Sequence, residues 1–365
     1  MTVRDIYHRM RTAFVALVLG AQALASLACT ICAPPDGATA VLFQLHAADA
    51  VVLAAPQPQA AGWRVLAHIK GSASPRPNAM VEDAPAAAPS GQAVSLVLVY
   101  GATAQRWRSL GPLAPQRADW LRKTLAFRPA SLAPVTDWPA RLAHFAAYLE
   151  DPQDLVARTA YEEVAVAPYT AMRSLGPLLR ADRIRRWLDD PALAARRPLY
   201  LLLAGFAAKP SGPSDLPARM ALAERDRSMP ALSAALAAWL EQRGPAGLAW
   251  VEQNYLTRPG LDELQVQAAV LALSVHGNDG ARLPRERIVA AFAALARHQP
   301  ALAGLAASDL AAWGHWELGP RYAEILQSGQ PLAFAARYAM VFYLLRSPRP
   351  DARAAIEALR AAKAL

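Results

Sequence analysis

The chain of 365 residues is 54% hydrophobic and 18% charged, a globular mixture long enough for two domains at the usual roughly 100 to 200 residues each. Aromatic residues are only 7% because Ala carries so much of the apolar count, and an Ala-rich composition favours helix. The net charge is +9 and nearly all of it is arginine, the lysines being Lys70, Lys123, Lys209 and Lys363; with no basic run interleaved with aromatics and no RNA- or DNA-binding fingerprint, it does not point to a nucleic-acid partner.

Residues 1–28 read as a secretory leader: Arg4, Arg9 and Arg11 come first, an apolar stretch runs from Ala13 to Leu27, and the small Ser26 and Ala28 follow at its end. The stretch is shorter than the about 20 residues a membrane span needs, so export with cleavage is expected, to a periplasmic, secreted or outer-surface location. An uncleaved anchor would leave the same domains outside the membrane. Losing the leader removes Arg4, Arg9, Arg11 and Asp5 and leaves a chain of +7.

Cleavage after Ala28 places both cysteines at the mature N-terminus, as Cys29-Thr30-Ile31-Cys32. Three readings stay open. A local disulfide suits an oxidising compartment, although so small a loop adds little stability. Lipidation of Cys29 fits Ser26-Leu27-Ala28-Cys29, which resembles a bacterial lipobox with Ser in place of the usual Leu, and it would be the one membrane attachment besides the leader. Redox or metal chemistry needs an activated thiolate or further ligands; Ala33-Pro34-Pro35 blocks an immediate helix, and no second Cys or His pair is present.

From residue 36 to about 128 the pattern is β-rich. A short helix is expected over Leu42–Ala48. Strands are expected over Ala50–Ala54, Trp63–Ile69 and Ala93–Tyr100. Between them lies an irregular stretch from Ser72 to Pro89 that holds Pro75, Pro77, Pro85 and Pro89 and leaves room for one short strand near Met80-Val81. The order of Cys29 and Cys32, then Ala48-Asp49-Ala50-Val51-Val52, then a strand ending on Ile69-Lys70-Gly71 resembles netrin-like domains. That resemblance implies a small OB-type barrel. In metalloproteinase inhibitors of this fold an N-terminal cysteine binds the target's zinc, which would be the role of Cys29; here the spacing is Cys-x-x-Cys where those inhibitors have Cys-x-Cys, and their further cysteines are missing.

From Asp137 onward nearly every segment has helical period. Asp137 is expected to cap a helix with Pro139 in its first turn and Leu142, Phe145, Ala146 and Leu149 on its apolar face. Further stripes are Leu232, Ala235, Leu236, Trp239 and Leu240; Leu264, Ala268, Leu271 and Val275; Ile288, Ala291, Phe292 and Leu295; and Phe334, Tyr338, Val341, Phe342 and Leu345. Tyr148-Leu149-Glu150-Asp151-Pro152 repeats as Trp187-Leu188-Asp189-Asp190-Pro191, and Arg158/Arg197, Tyr161/Tyr200 and Ala165/Ala204 continue the match at the same offset, which suits a two-helix repeat. Asp-Pro between two helices with an Arg some six residues later resembles HEAT-like repeats. The expected fold is therefore α+β: a β-rich domain over 29–130 and an all-α array over 137–362.

No catalytic motif is present: His-Glu-x-x-His, Gly-x-Ser-x-Gly, a P-loop and a dinucleotide fingerprint are all missing. The histidines are scattered without ligand spacing, so no metal or cofactor is expected. Glu162-Glu163 and Asp189-Asp190 read as solvated or capping residues, because neighbours on a helix point about 100° apart. Two segments are candidates for contact with a partner. One is Trp313-Gly314-His315-Trp316, the densest aromatic cluster, read otherwise as core at a helix end. The other is the loop Lys209–Pro217, with Lys209, Ser211 and Asp215, read otherwise as a plain insertion. The function expected is an exported, non-enzymatic scaffold binding a protein partner through its helical surface; the alternatives are a netrin-like inhibitor acting through Cys29 and a thiol-disulfide protein using Cys29 and Cys32.

Overall fold

The computed structural model describes residue 31 and residues 39–57, 62–71, 80–81, 95–207, 215–279 and 281–362. Two compact units divide the chain near Leu175.

In the first unit a five-stranded antiparallel sheet has the order β3-β2-β1-β4-β5, with β1 Ala50–Pro56, β2 Trp63–Lys70, β3 Met80–Val81, β4 Leu96–Gly101 and β5 Arg106–Pro112. The central strands are apolar on both faces, and the strand period of two sorts their side chains. Val51, Leu53, Val97 and Val99 face a layer of helices, while Val52, Ala54, Leu96 and Leu98 meet Trp63, Val65 and Val81 on the other side. Strand β5 escapes the sequence reading because, as an edge strand, it reads Arg-Trp-Arg-Ser with little burial and carries no hydrophobic alternation.

The helical layer comprises α1 Val41–Ala47, α2 Ala118–Leu125, α3 Trp138–Ala146 and α4 Asp154–Ala165, followed by the short α5 Tyr169–Met172. Asp137 caps α3 as expected, accepting from the Ala140 N–H at 2.9 Å. Leu155 and Val156 of α4 share one core with Val51, Leu53 and Trp120. The compact unit containing the sheet thus runs past residue 130, the limit expected from sequence, because periodicity marks a helix without saying what it packs on.

Lys70 ends β2 by donating to the carbonyls of His46 and Ala48, each at 2.6 Å, so a cation closes the C-terminal end of α1, where the helix dipole favours it. Glu162 does the converse at the other end, accepting from the Val41 N–H at 2.8 Å. Glu163, next to it, is not solvated: it is buried and paired with Arg141.

Two histidines of this unit give it a pH dependence. The His46 Nε2 lies 2.8 Å from the Phe127 carbonyl, and the His144 ring packs against Phe127, Phe145 and Tyr148. Burial is the main cause that holds both below the ordinary 6.5, with Lys70 and Lys123 respectively adding to it. A depressed histidine pKa contributes stability that is present above 6.5 and lost as pH falls through the folded value. Hydrogen-exchange protection over residues 118–148 is therefore expected to fall between pH 7.5 and pH 5 (about the window where histidines titrate) more in the wild type than in a His46→Asn/His144→Phe variant. The comparison with the variant matters because Glu163, whose pKa burial raises, works in the opposite direction.

The second unit is helical: α6 Ala181–Asp189, α7 Arg197–Phe206, α8 Leu216–Arg225, α9 Met229–Arg243, α10 Pro245–Val251, α11 Glu263–Asp279, α12 Arg285–His298, α13 Ala307–Ala312, α14 Gly319–Gln327, α15 Phe334–Arg346 and α16 Pro350–Ala361, with a 3₁₀ segment Pro300–Ala306 before α13. Helices α7, α9 and α11 lie side by side, and the 3₁₀ segment carries the row on to α15. The central α9 is buried almost all round, from Ala231 to Ala238 and at Leu240, and Gly205 of α7 lets the backbones approach: a Cβ there would lie 2.8 Å from Ala238 Cα. The Asp-Pro motif behaves alike at both its occurrences. Asp151 accepts from the Gln153 N–H at 3.0 Å and Asp190 from the Ala192 N–H at 2.9 Å, each turning the chain into its next helix.

Candidate functional site

The aromatic cluster Trp313-Gly314-His315-Trp316 forms the turn between α13 and α14, and packing fixes it from several sides. The Trp313 ring lies parallel to Phe292 at 5.9 Å between centroids, its indole N–H donates to Asn278 Oδ1 at 2.8 Å, and the Arg285 guanidinium stands 5.4 Å from its ring centroid. Gly277 makes room for it, since a Cβ there would lie 2.5 Å from Trp313 Cζ2. Trp316 packs on Tyr343 at 5.0 Å, and the Tyr343 hydroxyl donates to the His315 carbonyl at 2.6 Å. Both tryptophans are thus half-buried supports. Of the three residues, His315 is the one that lines a cleft.

That cleft, about 300 Å³ in volume, has a floor of Val289, Ala290 and Ala293 on α12 with Leu310 and Leu318 opposite, and Glu286, His315 and Glu317 as its ionisable lining. Glu286 stands one turn before Val289 and Ala290 on the same stripe of α12, and His315 Nδ1 is 3.9 Å from Glu317 Oε2. Among the described residues, no three His, Cys, Asp or Glu side chains form a group able to hold a metal ion.

A second surface lies on α15, where the structure corrects the sequence reading. Its expected core stripe turns outward: Phe334 is 84%, Tyr338 61% and Leu345 55% exposed. The face that packs inward is Ala336, Met340, Tyr343 and Leu344. Both faces of α15 are apolar, so period alone could not choose between them. Phe334, Tyr338 and Phe342 make a near-parallel ladder with centroids 6.3 and 6.0 Å apart, and Arg346 continues it, its guanidinium 5.6 Å from the Phe342 centroid.

Of the remaining candidates, Asp215 does not join these surfaces. Asp215 lies at the start of α8, pairs with Arg219 and lines a separate, water-sized cavity; Arg219 also pairs with Asp189 at 2.5 Å. Lys209, Ser211, Cys29 and Cys32 lie outside the described residues. Compared with models of protein families, with curated proteins and with solved structures, the chain matches none of them. No helix among the described residues is long and apolar enough to cross a membrane.

Proposed function

We propose that the chain is an exported, non-enzymatic interaction scaffold, a β-rich domain joined to a HEAT-like helical array that binds a protein partner. The observation that carries this reading is the ladder of α15. Large exposed apolar side chains are ordinary when scattered singly, whereas a contiguous row of them marks a contact surface, and aromatic residues and arginine dominate binding energy where partners meet. From Phe334 to Leu345 the row spans about 17 Å at the helical rise of 1.5 Å per residue, the length of a partner helix of three turns laid along it.

Charge narrows the partner. Residues 328–348 contain Arg337 and Arg346 and no Asp or Glu, so the matching segment is amphipathic with acidic flanks. An anionic membrane surface is the weaker match, because lipid recognition calls for clusters of about 4–8 Lys/Arg, and Arg349 is already engaged with Asp351 at 3.0 Å. A second copy of the chain would bring the same arginines together.

The test is photocrosslinking from a benzoyl-phenylalanine placed at position 338 in the producing cell, followed by mapping of the crosslinked peptide and titration of its synthetic form. One acid-flanked segment is expected, with affinity reduced at least about tenfold by Phe334→Ser and unchanged by Cys29→Ser/Cys32→Ser. Crosslinks only to lipid or to a second copy, or a peptide whose affinity Phe334→Ser leaves intact, overturn the reading.

A further inference from the structure

We propose that the cleft between α12 and the 313–318 turn binds a small organic cation, an alkylammonium or alkylguanidinium group. This site is independent of the ladder. Its volume, about 300 Å³, stands at the lower end of the range for ligand pockets and suits a chain of a few carbons with one charged head. The charge pattern sets the sign: in a chain of net charge +9, the cleft is lined by Glu286 and Glu317 and by no Lys or Arg.

The floor supplies the other half of the recognition. Val289, Ala290 and Ala293 offer an apolar bed with little side-chain bulk. A bare inorganic cation would leave this bed unused, whereas an alkyl stem covers it while its head reaches the carboxylates. Glu317 is 72% exposed and Glu286 is exposed as well, so neither carboxylate must be stripped of water before a ligand arrives. Binding then draws them toward one charge in a partly dehydrated site, where the attraction is stronger than in bulk water.

The walls are set in advance. Tyr343 holds the His315 carbonyl, the His315 N–H donates to the Leu310 carbonyl at 2.9 Å, and Trp313 locks the start of the turn onto α11 and α12 through Asn278, Phe292 and Arg285. A preorganised turn reduces the ordering cost of binding. One cation chemistry has two sources: a free amine, or the end of a Lys or Arg side chain presented by a polypeptide.

Methyl NMR of the full chain, observing Val289, Leu310 and Leu318, tests this with n-butylammonium, butylguanidinium and neutral n-butanol. Both cations are expected to shift these methyls with dissociation constants on the order of millimolar, as small fragments do, and n-butanol to bind at least about tenfold more weakly. Glu286→Gln/Glu317→Gln, at exposed positions, is expected to weaken both cations by at least about tenfold without shifting the unfolding midpoint, while Phe334→Ser leaves them unchanged. Equal binding of n-butanol, wild-type affinity in the double variant, or no shift up to roughly 50 mM of either cation overturns the proposal. N-acetyl-lysine methylamide separates the sources: binding as tight as n-butylammonium assigns the site to a polypeptide side chain, and much weaker binding assigns it to a free amine.

Discussion

Arg141→Met is expected to destabilise the first unit by about 3–5 kcal/mol, the usual cost of removing one partner from a buried ion pair. Arg141 and Glu163 are both almost fully buried and hydrogen-bonded to each other. Arg141 also donates to the Arg128 carbonyl at 2.7 Å and sits against the rings of Phe127, Trp138 and Phe145 at 5.7 to 5.8 Å. Methionine would fill much of that volume yet leave the Glu163 carboxylate without its countercharge. Burial already raises the Glu163 pKa against the opposing effect of Arg141, so loss of the arginine raises it further.

The sign follows from linkage. A carboxyl whose folded pKa lies above its unfolded value contributes stability that is full below the unfolded pKa and is lost as pH rises through the folded one. Arg141→Met is therefore expected to lose more stability at pH 8 than at pH 5 (roughly either side of a raised carboxyl pKa), as read by urea denaturation. Adding Glu163→Leu should recover most of the loss, because an apolar pair of similar volume replaces the ion pair without a stranded charge. A double variant as unstable as the single one would show that the aromatic surroundings of Arg141, and not its charge, hold α3 and α4 together.

Gly304→Ala is the second large effect. Gly304 lies in the 3₁₀ segment before α13, where a Cβ would stand 2.6 Å from Ala336 Cα and closer still to the Ala336 carbonyl oxygen. These are backbone atoms of α15, so no rotamer change relieves the overlap and the helix itself must move. Overpacking of this kind costs about 1–3 kcal/mol and at times more. Gly319→Ala is the control: its Cβ would meet only the Leu344 side chain, at 3.7 Å, and a change within about 0.5 kcal/mol is expected. Differential scanning calorimetry separates the two. Because α15 carries the exposed ladder, Gly304→Ala should also weaken capture of the partner segment, an effect absent in Gly319→Ala.

Much of the architecture is legible in local pattern. The stripe Leu142, Phe145 and Leu149 is fully buried, as are Ile288, Ala291, Phe292 and Leu295, since an apolar period of 3.6 beside a polar face leaves one orientation to choose. The caps at Asp137 and the Asp-Pro turns at residues 151–152 and 190–191 are equally local, because the hydrogen bonds that define them close within three residues. The site was legible only in part. The Trp-Gly-His-Trp cluster lies at the turn beside the cleft, but which of its side chains faces that cleft depends on Phe292 and Asn278, residues far away in the chain.

By itself the sequence determined that a strand-rich segment precedes a long run of helices, which apolar stripe several of those helices bury, and the cap at Asp137 and the two Asp-Pro turns, for these follow from side-chain period and short-range hydrogen bonds. Tertiary structure decided the rest. It assigned α4 to the core of the sheet, buried Glu163 beside Arg141, chose Met340 and Tyr343 over Phe334 and Tyr338 as the inward face of α15, and gathered Glu286, His315 and Glu317 around one cleft. Each of these is settled by which element lies opposite, and hydrophobic burial, being non-directional, leaves that choice to the packing of the whole unit.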